Sequence, residues 1–352
     1  MRRVWTIPGF GRSELDRAKS CMARLAIGQS SEPHYGKAVE DFAEYLVACG
    51  HEFTKNPPEQ ASPAQCDKLL AQWLEGLAVI GSSKEPPKSY YARGLHTFYG
   101  VLHAYPLLKG SLFHANQTLK GWKRSKPGES RLPIPKGLAF ILAVVIAWLP
   151  HPLAPIVAVL VLAHFDLMLR SEEGFGILKE HIRHVDGHTA VLLGEERPTK
   201  TGRGEGVLFL DDFTARKVRE RASQLQNGEK LFPLTESQYL GLFHQACKVL
   251  GVDDKVPHQL RHGGAVHALL TLNLGVPAVT KRGRWANAKS LDRYGRPHTL
   301  IKVISVLDDR LVKMMKFGLT FPEKAWETPV SQWLEIPLSP FEEHLLDVAV
   351  VC

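Results

Sequence analysis

The chain has 352 residues, with 44 Lys and Arg against 36 Asp and Glu, for a formal net charge of +8. That length supports two domains with separate cores, and the ordinary apolar fraction excludes a disordered or low-complexity protein. Five cysteines (Cys21, Cys49, Cys66, Cys247, Cys352) lack CxxC spacing, against a disulfide scaffold or zinc ribbon, and the positive charge suits a polyanionic partner.

Residues 1–30 are an N-terminal extension in which Leu15, Met22, Leu25 and Ile27 allow a short helix, and no apolar run there reads as a secretory signal. From 31 to 130 the pattern is that of a helical unit. Tyr35, Val39, Phe42, Leu46 and Val47 recur at helical spacing and stop before Gly50. Beyond Pro57, Pro58 and Pro63, a second helix carries Cys66, Leu69, Leu70, Trp73, Leu74 and Leu77. A third, Ser89–Tyr105, has an aromatic inner face. Between Lys88 and Arg131 the basic residues are Lys88, Arg93, Lys109, Lys120, Lys123, Arg124, Lys126 and Arg131, against the single acid Glu129. A face of one sign suits contact with backbone phosphates, weakening steeply with salt. A solvated basic surface is the competing reading.

Residues 131–136, RLPIPK, read as a proline-stiffened linker. Gly137–Leu169 is apolar enough to raise a membrane span, but LPHPLAP splits it into halves too short to cross, so two buried helices are expected. His184–Leu210 alternates, with Gly187, Gly194, Gly202 and Gly204 at turns, predicting short antiparallel strands. The histidines 181, 184 and 188 fit no metal spacing and belong to those strands and turns. Helices are expected over Thr214–Gln226 and Glu236–Leu250, the latter with the stripe Leu240, Phe243, Ala246, Leu250. Arg261 opens another apolar helix that Gly275 ends. Past Ile304 the chain turns acidic and less regular, with Trp326, Trp333, Phe341 and Leu345 free to pack on the body or on a neighbouring protomer.

The chemistry concentrates in Val256–His298. His258 and Arg261 are three apart, so a helix projects both from one face. Trp285 and Tyr294 follow, flanked by Arg282, Arg284, Arg293 and Arg296. A phenol among arginines makes a poor core and a good phosphate site, because the guanidinium fork matches phosphate oxygens in pairs.

These segments, in order, resemble the tyrosine recombinase (phage-integrase) family. HQLRHGGAVH matches its His-x-x-Arg box, and RGRW and LDRY match its His/Trp and Tyr boxes. FDLMLRSEEGFGILKEHI matches the first-arginine box, with Arg170 followed by Glu173 and by Ile177 and Ile182. RPTKTGRGEGVLFL looks like the hairpin of the family lysine, placing Lys200 in that role, with Arg203 or Lys179 as alternatives. The likeness covers roughly Leu132–Ile304.

The resemblance implies a mainly α fold with a small antiparallel β-sheet. It places a helical, SAM-like core-binding domain at 31–130 and a mixed α+β catalytic domain at 137–310. The tail at 311–352 would pass to a neighbouring protomer. The implied activity is site-specific DNA recombination or integration through a 3′-phosphotyrosyl intermediate. Arg170 and Arg261 would clamp the phosphate, and His258 would donate to it or shuttle a proton. Lys200 would protonate the leaving 5′-oxygen, Trp285 would donate its indole N–H or buttress the tyrosine segment, and Tyr294 would attack. Glu173 would orient the arginines, His262 would support them, and Lys120, Lys123, Arg124, Lys126 and Arg203 would touch DNA. The phosphotyrosyl bond conserves energy, so no cofactor, neither ATP nor metal, is called for. The implied partner is double-stranded DNA, bound by a homo-tetramer on two sites, inside the cell. LKGWKRSKPGESRLPIP resembles recombinases of eukaryotic mobile elements. Rival readings are a catalytically decayed DNA-binding protein of the same fold, a type IB topoisomerase-like enzyme, and a basic membrane-associated protein.

Overall fold

Between Glu32 and Ser125 the helical repeats form α1 (Glu32–Ala48), α2 (Pro63–Ser83), α3 (Lys88–Ala104) and α4 (Phe113–Ser125). The computed structural model describes residues 32–50, 62–83, 88–125, 132–193, 205–252, 255–285, 288, 291 and 297–348. They fall into two compact units, divided between Glu129 and Ser130. In the first unit Phe42, Leu46, Leu70, Leu74, Phe98, Leu119 and Trp122 share one apolar core. Val47, expected inside, is 62% exposed: one step along a helix turns about 100°, and Leu46 takes the inward position. Arg93 also departs from the expected basic face, since it pairs with Asp41 at 2.7 Å and lies over the Trp73 ring. On α4, Ala115, Leu119 and Trp122 face the core while Lys120, Lys123 and Arg124 remain exposed.

The second unit is built on α5 (Lys136–Ala147) and α6 (Ala154–Asp166). Both are apolar on every side and therefore buried on almost every side. No helix among the described residues is long and apolar enough to cross a membrane. A short α7 (Ser171–Phe175) leads to the sheet β1 (Ile182–Val185), β2 (His188–Leu193) and β3 (Glu205–Leu208). The strands are antiparallel in chain order, Ile182 opposite Val191 and Val191 opposite Val207. The fold is thus mainly α with one small antiparallel sheet, as the sequence leads one to expect.

The second unit continues with α8 (Asp212–Ser223), α9 (Glu236–Val249), α10 (His258–Leu270) and α11 (Val276–Arg282), then α12 (Pro297–Ile304), α13 (Asp309–Thr320), α14 (Pro322–Trp326) and α15 (Pro340–Val348). On α9 the buried stripe is Tyr239, Leu242, Phe243, Ala246 and Cys247, one step round from the expected one, leaving Leu240 and Leu250 at its edge. Gly275 does not end α10. That helix closes at Thr271, the chain turns at Asn273 with φ +55°, and Gly275 is the N-cap of α11.

The stretch read as a linker is built into the second unit. Pro133, Ile134 and Pro135 are buried. The Ile134 N–H donates to the Gln259 carbonyl at 3.2 Å, and Gln259 Nε2 donates to the Leu132 carbonyl at 2.6 Å. Gly263 permits this approach, because a Cβ there would lie 1.9 Å from the Ile134 carbonyl oxygen. The C-terminal segment likewise completes the chain's own core. Helix α13 lies on α5, and Trp333, 2% exposed, packs against Phe140 and Phe317 with its indole N–H donating to the Thr328 carbonyl at 2.9 Å. Trp326 meets Phe213, whereas Phe341 is 70% exposed.

Trp333→Ala should therefore cost about 3–5 kcal/mol in urea denaturation, while Phe341→Ala should stay within about 0.5 kcal/mol of the parent.

Candidate active site

Helix α6 ends in polar residues that an apolar helix would not otherwise carry, and the site is assembled around that end. The chain leaves α6 through Met168 at φ +49°, a conformation that costs a non-glycine residue about 1–2 kcal/mol, and reaches Arg170 at the start of α7. Glu173, one turn on, folds back. Its carboxylate accepts from the Arg170 backbone N–H at 2.7 Å and from Arg170 Nη1 at 2.6 Å. The side chain of Arg170 is 28% exposed, so part of the fork faces outward.

Arg261 enters from α10 and is buried, its two terminal nitrogens donating to the carbonyls of Met168 and Gly283. It stands 4.0 Å from Glu173, and its Cζ lies 4.4 Å from the centre of the Trp285 ring, a cation–π contact. The ring reaches that place because residue 283 is glycine: a Cβ there would fall 1.7 Å from the indole. On the same helix, exposed His258 sits edge-on to buried His262 with ring centres 4.5 Å apart. Arg170 and Arg261 thus meet at Glu173 and Trp285 lies on Arg261, with His258 and His262 on the helix that supplies Arg261. Lys200, Tyr294, Lys126 and Arg203 lie outside the described residues.

Two of the arginines read from the sequence as phosphate ligands are committed inward. Arg282 bonds Asp166 at 2.9 Å and the Leu208 carbonyl at 2.5 Å, tying α11 to the end of β3. Arg284 pairs with Glu173 at 2.6 Å, and its side chain has no exposed surface. Among the described residues no cluster of His, Cys, Asp and Glu could hold a metal. His181 accepts from the Leu178 N–H, and His184 bonds Thr189.

The electrostatics follow from burial. Burial alone would push the Glu173 carboxyl up, but the hydrogen bond and charge of Arg284, then Arg170, outweigh it and hold the group below the usual carboxylate range. Asp166 goes the other way, raised to about 6 by burial despite Arg282, with the Asp211 charge adding to the rise. His164 lies fully inside, its Nδ1 2.9 Å from the Tyr239 hydroxyl. Burial, then repulsion from Arg261 and His258, lowers its pKa to about 3, so the imidazole is neutral. Only the interruption of an apolar run by His164 and Asp166 signals either residue in the sequence.

No protein-family model and no curated protein sequence matches the chain. Solved structures do. The XerH site-specific recombinase bound to palindromic difH substrate, a post-cleavage complex, superposes with a TM-score of 0.55 at 15% identity, covering 84% of each chain. The Tn1549 transposon integrase in complex with transposon right end DNA gives 0.52 at 12% identity, covering 82% of this chain and 96% of that one. The chain therefore has the tyrosine-recombinase fold.

Glu173→Ala would leave the buried Arg284 without its hydrogen-bonded carboxylate, with only Glu205 at 4.0 Å, and a loss of about 3–5 kcal/mol in denaturation is expected. His164 supplies a pH test. Its folded pKa lies below the ordinary histidine value, so its stabilising contribution is present above pH about 6.5 and is lost as pH falls toward about 3. Between pH 6 and 4 the parent should accordingly lose about 1.4 kcal/mol per pH unit relative to His164→Gln. Parallel denaturation curves would contradict the neutral, buried histidine.

Proposed function

We propose that this chain is a site-specific recombinase or integrase that cuts and rejoins duplex DNA through a 3′-phosphotyrosyl intermediate. One observation carries the reading: segments far apart in sequence bring Arg170 and Arg261 to the carboxylate of Glu173, with Trp285 on Arg261 and His258 on the adjoining turn. Preformed guanidinium donors stabilise charge as it develops on a phosphoryl group and need no reorganisation when it does.

In this mechanism Arg170 and Arg261 take the non-bridging oxygens of the scissile phosphate. Arg170 does so with the outward part of its fork, and Arg261 by shifting a donor from a carbonyl acceptor to the ligand. His258, exposed beside Arg261, donates to a third position or passes on the phenolic proton. Tyr294 attacks phosphorus and the 5′-oxygen leaves with a proton from Lys200; reversal with a different 5′-hydroxyl completes exchange. Both of these roles rest on the sequence motifs. The exposed Lys120, Lys123 and Arg124 of α4 contribute salt-sensitive contacts with the DNA backbone. The assembly is a homo-tetramer on two DNA sites inside the cell.

The test is a covalent adduct. Protein mixed with nicked duplexes from the flanks of its own gene should give a complex that survives denaturing electrophoresis, with the DNA mapped to Tyr294. The adduct should vanish in Tyr294→Phe while binding persists, and Arg170→Ala should slow its formation by about 10²–10³-fold. Binding without an adduct would favour a decayed relative. Relaxed circles without recombined junctions would favour a topoisomerase.

A further inference from the structure

Three consecutive carbonyls hold the guanidiniums of the cluster. Those of Arg282, Gly283 and Arg284 accept, in turn, from Arg284 Nη1 at 2.8 Å, from Arg261, and from Arg170 Nη2 at 2.9 Å. The backbone passes through a left-handed conformation at Arg284, φ +54°. The side chain of Arg282 serves a different element. Its Nη2 donates to the Asp166 carbonyl at 2.7 Å and to the Asp166 carboxylate at 2.9 Å, and its Nη1 donates to the Leu208 carbonyl at the end of β3 at 2.5 Å. The same carboxylate accepts from the backbone N–H groups of Leu210 and Asp211 at 3.1 and 3.2 Å. The two side chains are only 9% and 7% exposed. At the start of β3, Glu205 stands 4.0 Å from Arg284 Nε. Strand β3 is therefore tied at both ends to the residues whose carbonyls hold the guanidiniums. A buried ion pair contributes little to stability over an apolar pair of similar volume, but its directed bonds fix the placement of the segments it joins.

We propose that Asp166, acting through Arg282, is a positioning residue that holds β3 in place against the arginine cluster and so serves protonation of the leaving 5′-oxygen. This rests on the reading of Tyr294 as nucleophile and of Lys200, which precedes β3 in the sequence, as proton donor. In that step a bond forms between the Tyr294 oxygen and phosphorus while the bond from phosphorus to the 5′-oxygen breaks. The departing oxygen takes its proton from Lys200. Misplacing donor and acceptor by about 1 Å costs such a step about 10²-fold. Without the Asp166 carboxylate, β3 keeps its pairing with β2, but its exit loses the bonds that set it against residues 282–284. The guanidiniums keep Glu173 and their carbonyls. Loss of Asp166 should therefore slow departure of the 5′-oxygen and spare the hold on the phosphate.

The experiment compares two leaving groups on the full chain. Nicked duplexes are made with oxygen or with sulfur as the 5′ bridging atom at the position where the adduct maps, and the rate of adduct formation is followed at pH about 8. Burial raises the Asp166 carboxyl only to about 6, so it is ionised there. A thiol with a pKa near that of cysteine, about 8.5, leaves as the anion, whereas an alkoxide needs the proton. Asp166→Asn should slow the oxygen duplex by about 10–10²-fold and leave the sulfur duplex within about twofold of the parent. Arg282→Lys keeps a cation beside Asp166 but replaces the planar fork by a single point of charge, and should show the same selective loss, about tenfold. This second variant decides the matter if Asp166→Asn does not fold. A merely structural pair would slow both duplexes alike. Equal slowing of the two duplexes, or no slowing of either, would overturn the proposal. A parent that forms no adduct with the oxygen duplex would instead overturn the recombinase reading on which it rests.

Discussion

Burying a guanidinium costs several kcal/mol unless an anion and enough acceptors are buried with it. The second unit buries Arg261 and Arg284 and half-buries Arg170, and the shared anion is Glu173. Once that carboxylate is fixed by the Arg170 backbone N–H, each guanidinium has one favourable place. The remaining donors must then find carbonyls, and the path of the chain through Leu167–Met168 and Arg282–Arg284 provides them. The left-handed backbones at Met168 and Arg284 are the conformational cost of that path. The ionic bonds they aim offset it.

Around this cluster the rest of the unit behaves as a rigid mount. Helices α5 and α6 fill the centre with Val, Leu, Ile and Ala side chains that have little room to move. Residues 132–135 grip the start of α10 through one backbone bond and one from the Gln259 side chain, and Arg282 grips β3. Trp333 seals the opposite side of α5. Each device fixes a segment that contributes, directly or one step removed, to the arginine cluster.

Much of this is legible in the sequence. Helices announce themselves because apolar residues recur every three to four positions, and the proline-split run of 137–169 reads better as two buried helices than as a membrane span. The errors are of a different kind. Val47 and Leu240 lie beside the true stripe, where one residue more or less decides the face. Arg261, Arg282 and Arg284 look alike in a string of letters. What separates them is contact with Glu173 and Asp166, between 88 and 116 residues upstream, and no local pattern encodes that. Nor does a methionine or an arginine advertise a positive φ as glycine does.

Besides Glu173, the guanidiniums are held by the main-chain carbonyls of Leu167, Met168, Arg282, Gly283 and Arg284. A carbonyl is the same atom pair in every amino acid. The arginine cluster therefore restricts the route of the chain at these positions far more than the letters written there. Such a scaffold can accumulate substitutions while its geometry stands still, so one shape can be written in very different spellings.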